Sequence, residues 1–241
     1  MELKIDTHTH TVASGHAFST LLENITYARE SGMEGIAITE HAESIPGSSP
    51  PFIISIASGL EPEYDGIRVY KGAELNIIDY EGSVDVNLQR IRLLEFAIAS
   101  LHTVVIEPGN EEQNTEAIVR ALSDPYIDII GHPGNGSFPI DKEKVVLTAK
   151  NNNKLLEINN HSFEVRRGSA QNCKTILELC KKHDVRICVG SDAHFCRMVG
   201  GFKHALVLIE EVGYPEELIV SRNRRAFDEY LEERKQRLSD L

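Results

Sequence analysis

Leu3-Lys4-Ile5-Asp6-Thr7-His8-Thr9-His10 opens the chain with a short apolar run that ends in metal-ligating side chains, and the same phrase recurs down the sequence. Gly35-Ile36-Ala37-Ile38 leads into Thr39-Glu40-His41, Gly72-Ala73 into Glu74, Ser100-Leu101 into His102, Ile129-Ile130-Gly131 into His132-Pro133, and Gly190-Ser191 into Asp192-Ala193-His194. With His16 a few residues past the first group, seven of the ten histidines, plus Glu74 and Asp192, follow strand-like segments. No single helix or hairpin can gather side chains so far apart. A barrel of parallel strands can, because it delivers every strand's C-terminal end to one rim. Nine nitrogen and oxygen ligands exceed the needs of one metal and suit a multinuclear hydrolytic centre.

Outward from these phrases, the pattern predicts strands over residues 3–6, 35–39, 67–72, 96–100, 127–131, 154–159 and 186–190. Helical periodicity lies between them, over 20–31, 114–122, 141–151 and 170–183, with Gly32 as a stop signal after the first. Alternation of this kind predicts βα units and a parallel sheet. The seven strands plus a last apolar run, 205–210, predict an α/β fold of closed or nearly closed barrel type. Residues 44–63 read as a long loop over the site face, 76–86 as a small hairpin, and 215–220 and 224–238 as capping helices.

The length of 241 residues fits a single barrel domain spanning 1–241, since such barrels commonly run to ~250. No stretch approaches the ~20 apolar residues of a membrane span. The first residues enter a strand without the charged and apolar regions of a secretion signal, so the expected location is the cytoplasm. Cys173, Cys180, Cys188 and Cys196 contain no C-x-x-C pair and read as reduced, mostly buried thiols. Net charge of −12 argues against long nucleic acid and anionic membranes as partners. It does not exclude an anionic substrate, because bound cations can reverse the sign of a local field.

His8 and His10 stand two apart, so both rings reach one side of a strand. Asp192 and His194 repeat that spacing. Glu74 at a strand end could bridge two cations with its two oxygens, and Asp6 is placed to orient ligands by hydrogen bonds. Asn159, Asn160 and His161 follow a strand with no ligand of its own, and either contact substrate or tie down a loop. Arg166, Arg167 and Arg197 are each either a phosphate clamp or a solvated surface residue. His183 and His204 read as structural.

These motifs resemble the PHP (polymerase and histidinol phosphatase) superfamily. Strings such as Ile130-Gly131-His132-Pro133-Gly134-Asn135, Leu156-Glu157-Ile158-Asn159-Asn160 and Gly168-Ser169-Ala170-Gln171-Asn172-Cys173 look like its YcdX-type phosphatase branch. The resemblance covers nearly the whole chain. It implies a distorted (β/α)7 TIM-like barrel, hydrolysis of small phosphomonoesters, and three ions per chain, commonly zinc, sometimes manganese or iron. Carried over, one ion takes His8, His10, Glu74 and Asp192, a second Glu74, His102 and His132, and a third His16, His41 and His194. Glu74 and Asp192 carry the catalytic roles, as bridge and as acceptor of the attacking water's proton. The expected partner is a small phosphorylated substrate, with a homo-oligomer left open. Two competing readings remain. One is a metal-dependent amidohydrolase, which uses a modified lysine where Glu74 stands here. The other is a non-catalytic PHP regulatory module, which should have lost some of the ligands that this chain retains.

Overall fold

Ile5–Thr9 forms the first strand, β1, in which all five residues are buried although four are polar. Burial is tolerated because the polar groups find partners: Thr7 Oγ1 donates to the Val189 carbonyl at 3.1 Å and Thr9 Oγ1 to that of Ala37 at 2.6 Å. In chain order the other strands are β2 (Gly35–Ile38), β3 (Glu63–Tyr64), β4 (Ile67–Lys71), β5 (Glu74–Asn76), β6 (Ile98–Ser100), β7 (Ile129–Ile130), β8 (Leu155–Asn159) and β9 (Ile187–Gly190). The helices are α1 (Leu21–Glu30), α2 (Phe52–Ala57), α3 (Leu88–Ile91), α4 (Glu111–Ser123), α5 (Lys142–Asn151), α6 (Ser162–Val165), α7 (Ser169–Lys182), α8 (Lys203–Val212) and α9 (Arg224–Ser239). This computed structural model describes residues 1–50 and 52–239.

The strands form two sheets, in the orders β1-β2-β4-β3 and β5-β6-β7-β8-β9, parallel throughout except for the antiparallel pair β3 and β4. The sheets meet at two places. Asp192 N–H donates to the His8 carbonyl and His10 N–H to that of Ala193, both at 2.9 Å, linking the end of β9 to β1. Glu74 N–H donates to the Glu40 carbonyl at 3.1 Å, linking β5 to the end of β2. Both junctions lie where the metal-ligating phrases sit. The β1–β2 register slips between Asp6 and Thr9, so an extra β1 residue is accommodated beside His8.

Beneath the ligand level, Ile5, Ala37, Tyr70, Ile98, Ile129, Leu155 and Cys188 form one apolar cluster, with one residue from each of β1, β2, β4, β6, β7, β8 and β9. Phe227, Tyr230 and Leu231 of α9 close it from below. The helix is fastened by Arg234 Nε and Arg237 Nη2, which donate to the buried Asp128 carboxylate at 2.7 and 2.8 Å. A second cluster fills the space between the strands and the surrounding helices.

One predicted strand is corrected. Residues 205–210 belong to α8, where Ala205, Leu208 and Ile209 are buried and Val207 is 61% exposed. That is helical spacing, and Gly213 ends the helix at φ 61°. Five consecutive apolar residues read equally well as strand or helix, which is why the sequence alone misleads there. The expected loop over 44–63 contains α2 and ends in β3, and 215–220 forms two tight 3-10 turns, Glu216–Leu218 and Val220–Arg222, instead of one helix. The hairpin over 76–86 is present as an antiparallel bridge between Ile77 and Val84.

Candidate metal centre

β1 carries His8 and, one residue past its end, His10, whose Nε2 atoms lie 3.1 Å apart. Past them the chain turns tightly through Val12–Ser14. Gly15 ends that turn at φ 81°, and a Cβ there would lie 1.8 Å from the Gly47 carbonyl oxygen. Only glycine permits both the conformation and the contact. The turn delivers His16, and the abutting 44–50 segment reaches over the site.

Glu74 sits at the centre. Its Oε1 faces His132 Nε2 at 3.0 Å and His102 Nε2 at 3.3 Å. Its Oε2 faces His41 Nδ1 at 2.9 Å, His8 Nε2 at 3.2 Å and His10 Nε2 at 3.4 Å. Asp192 Oδ1 stands 3.3 Å from His10 Nε2, 3.7 Å from His8 Nε2 and 3.6 Å from His194 Nδ1. His194 Nε2 in turn meets His16 Nε2 at 3.0 Å. The fold therefore brings all nine candidate residues into one continuous cluster. His41 stands closer to Glu74 than the expected partition implies, since it groups with Glu74 and His102 as well as with His10 and His194. His161 also joins, within 4.8 Å of ligand atoms of Asp192 and His194.

Two buried atoms test whether a cation fits. Glu74 Oε2 and His41 Nδ1 make no hydrogen bond despite their 2.9 Å separation. A carboxylate oxygen faced by three imidazole nitrogens and hydrogen-bonded to none is costly unless a cation lies among them. The donor set of imidazole and carboxylate suits zinc, manganese or iron.

A family model described as the PHP domain matches residues 6–240. The chain belongs to the PHP domain family. A probable phosphatase of Acetivibrio thermocellus is 44% identical over 238 residues, covering 99% of each chain. Another, of Caldicellulosiruptor saccharolyticus, is 48% identical over 231 residues, covering 96% of this chain and 97% of that one. Among solved structures, a histidinol phosphate phosphatase of Lactococcus lactis, complexed with zinc, L-histidinol and phosphate, is similar at a TM-score of 0.63 and 19% identity, over 89% of this chain and 95% of that one.

In this PHP domain the candidate ligand rings are held from behind by groups that the sequence alone does not assign. Glu157 Oε1 pairs with His8 Nδ1 at 2.8 Å, and its Oε2 accepts the His132 backbone N–H at 2.8 Å. Ser14 Oγ contacts His10 Nδ1 at 3.0 Å and donates to Glu40 Oε2 at 2.5 Å, while Glu40 Oε1 accepts from Thr11 Oγ1 at 2.6 Å. Asn76 Oδ1 contacts His102 Nδ1 at 2.7 Å. Such partners fix ring orientation and tautomer. The signal for Glu157 was a carboxylate inside an otherwise apolar strand, two residues from Asn159 on the same face.

Asp6 makes its hydrogen bonds to the backbone beside the candidate ligands and not to their rings. Its Oδ1 accepts from the backbone N–H groups of His8 and Ser191, and its Oδ2 from that of Gly200, so it clips β1 to the turn after β9 and touches no ligand ring. Burial pushes its carboxyl up to about 6. Asn159 donates to Asp192 Oδ2 at 3.2 Å, whereas Asn160 ties down the start of α8 by accepting from His204 and Ala205 N–H. Of the three arginines, Arg166 lines the site cavity and pairs with Asp192 Oδ2 at 3.3 Å, while Arg167 and Arg197 are exposed.

Charge is uneven across the cluster: against its burial, Glu157, Glu74 and Asp192 hold His8 well above the usual histidine range. Burial alone would raise the Glu74 carboxyl, but His8, His41 and His102 hold it well below the usual carboxylate range. Asp192 is likewise held low, against burial, by His8, His10 and Arg166. Burial, with His41 beside it, pushes His10 well below the usual histidine range, and burial with Arg166 brings His132 down to about 4. Neutral imidazole is the form that ligates.

Proposed function

We propose that this PHP domain is a metal-dependent phosphomonoesterase acting on small phosphorylated molecules at a centre of three ions. The observation that carries the reading is the division of Glu74: one oxygen faces His102 and His132, the other His8, His10 and His41. In this reading His8, His10, Glu74 and Asp192 hold one ion, Glu74, His102 and His132 a second, and His16, His41 and His194 a third, with zinc the favoured metal and manganese or iron alternatives. The cluster of one residue from each of seven strands supports a distorted seven-stranded (β/α) barrel as the scaffold. The four unpaired cysteines support a reducing, cytoplasmic setting.

When bound, divalent ions supply neutralisation of phosphate charge and a more acidic water. The residues supply placement. Arg166 is positioned to donate to a phosphate oxygen from the cavity side while its Nη1 contacts, to Asp192 and Ser162, stay in place. Asp192, ionised and anchored by Asn159, is the acceptor for the water's proton. The reaction is simple displacement. The water oxygen bonds to phosphorus, the ester P–O bond breaks, and a proton ends on the departing alcohol, with inorganic phosphate as the other product.

Elemental analysis of protein purified without chelator should give close to three transition-metal equivalents per chain. The loaded protein should hydrolyse p-nitrophenyl phosphate and leave dihydroorotate and simple lactams intact, and chelation should abolish the activity until zinc or manganese is returned. One equivalent or none in folded, metal-replete protein refutes the three-ion centre. Faster cleavage of amides than of phosphomonoesters replaces the phosphatase reading with the amidohydrolase one.

A further inference from the structure

The cavity above the ligand cluster has a volume of about 540 Å³ and two unlike halves. Its floor is imidazole, Asp192 and Arg166. Its upper wall is Ile45, Pro46, Val104 and Val165. These four come from three separate places: the segment after β2, which gives Ile45 and Pro46, the turn after β6, and the end of α6. Val104 and Val165 are 64% and 57% exposed, at rim positions where a polar side chain would face water at no cost. Scattered exposed valines need no explanation, but apolar side chains from separate connections facing one cavity make a contact surface.

The formal charges of the lining are few and balanced. Among the described residues lining it, Arg166 is the one arginine, there is no lysine, and Asp192 is the one carboxylate. Those two are already paired with each other at 3.3 Å. A second anionic group on the substrate, away from the phosphate, would find no lysine or unpaired arginine in the lining to meet it. An ammonium group would find no carboxylate free of the ligand cluster.

We infer that the substrate's leaving group is uncharged and largely apolar, aryl or hydrocarbon in character, and that Ile45, Val104 and Val165 determine this specificity. The inference rests on the phosphomonoesterase reading and deepens it. The phosphate half of the substrate goes to the floor, and the carbon half lies against the upper wall, where burial of apolar surface selects it.

The test compares kcat/KM of the zinc-replete full chain for three primary alkyl monoesters: 2-phenylethyl phosphate, glycerol 3-phosphate and phosphoethanolamine. The same kind of P–O bond breaks in each, so differences report on contacts to the leaving group. Phenylethyl phosphate should be preferred over glycerol 3-phosphate by at least ~10-fold, equivalent to about 1.4 kcal/mol, and over phosphoethanolamine by more. The double variant Val104→Ser/Val165→Ser should compress the first ratio to within ~3-fold, less than half a decade of selectivity. Both positions are exposed, and unchanged metal content certifies the fold. A wild-type ratio at or below one, or a ratio the double variant leaves unchanged, overturns the inference while the phosphatase reading stands. No hydrolysis of any of the three esters or of p-nitrophenyl phosphate overturns both.

Discussion

Glu157→Gln is the sharpest probe of how this site is built. The carboxylate is fully buried and does two things at once: Oε1 holds His8 Nδ1–H at 2.8 Å and Oε2 accepts the His132 N–H at 2.8 Å. An amide of the same shape has one acceptor and one donor end. If its oxygen serves His132, its NH₂ faces His8 Nδ1 and forces the proton to Nε2, the nitrogen that faces Glu74 and the ligand cluster. If its oxygen serves His8, two N–H groups collide at His132. Either arrangement loses one charge-assisted hydrogen bond, worth about 1.5–3 kcal/mol, which is roughly 10- to 150-fold in an equilibrium constant. That range overlaps the ~10- to 100-fold typical of groups behind metal-ligating histidines. The assay is metal titration of chelator-stripped protein against a competing chromophoric chelator, alongside kcat for p-nitrophenyl phosphate. Zinc affinity should fall by that factor while secondary structure stays native. Gly190→Ala offers an independent approach, because a Cβ there would lie 2.3 Å from Glu157 Oε1 and 2.5 Å from His8 Cβ. It displaces the same pair, so the two losses should not add in the double variant. Zinc affinity within about twofold of wild type in Glu157→Gln, less than half a kcal/mol, would refute the reasoning.

Glu74→Gln keeps shape but removes the charge that two sets of histidines share, and activity should fall at least ~100-fold with loss of bound metal. Wild-type rate and metal content would reduce Glu74 to a polar strand end. In a thiol titration at mildly alkaline pH, Cys196 alone should react in the native protein and all four cysteines after denaturation. Burial pushes Cys173 and Cys180 up to about 12 and holds Cys188 well above the usual thiol range, so their thiolate fraction is negligible. Removing metal should lower Tm by roughly 5–11 °C, since a ligand at a hundred times its Kd stabilises by ~2.7 kcal/mol and each kcal/mol is worth ~2–4 °C in a chain of this size. Identical melting with and without chelator would count against metal in the folded cluster.

How much of this was legible in the sequence divides along physical lines. Strands with runs such as Ile36-Ala37-Ile38 or Leu155-Leu156-Glu157-Ile158 were visible because apolar, β-branched segments bounded by Gly or Asn have few other uses. Helices α1, α4, α5 and α7 were visible from their apolar periodicity, and their caps supply part of the reason they start where they do. Thr20 with Glu23, and Asn110 with Gln113, form reciprocal capping boxes. α8 was not visible, because Ala205-Leu206-Val207-Leu208-Ile209 fits either period. The nine candidate ligands were readable because most follow a strand-like run, although Glu74 opens β5 and His16 lies in the turn beyond β1. Their supports were not. Glu157 acts on His8 from 149 residues away, and Glu40 reaches His10 through Ser14. No local pattern encodes a hydrogen bond that exists only once two strand ends meet.

The two ends of the strands obey different rules, and the difference points to where function lies. At the lower end, Tyr70, Phe96 and Ile98 pack with Phe227 and Tyr230, with Tyr70 and Phe96 edge-on to Phe227 at centroid distances of 4.8 and 5.5 Å. Burial there agrees with sequence, packing and stability alike. At the upper end, His132 and Asp192 hold φ values of 34° and 57°, in a region that L side chains adopt at a cost of order 1–3 kcal/mol each. Glu74 Oε2 and His41 Nδ1 are buried without hydrogen bonds beside them. Apolar side chains in place of Glu74 and His41 would avoid the second penalty, and glycine at positions 132 and 192 would avoid the first. A sequence that keeps the histidines, the carboxylates and the strained turns together is specifying something other than its own folding. Cations in the cluster, as proposed above, would satisfy the orphaned atoms and the carboxylates at the same time. The apolar lower end supplies the stability that lets the rim remain strained and ready to bind them.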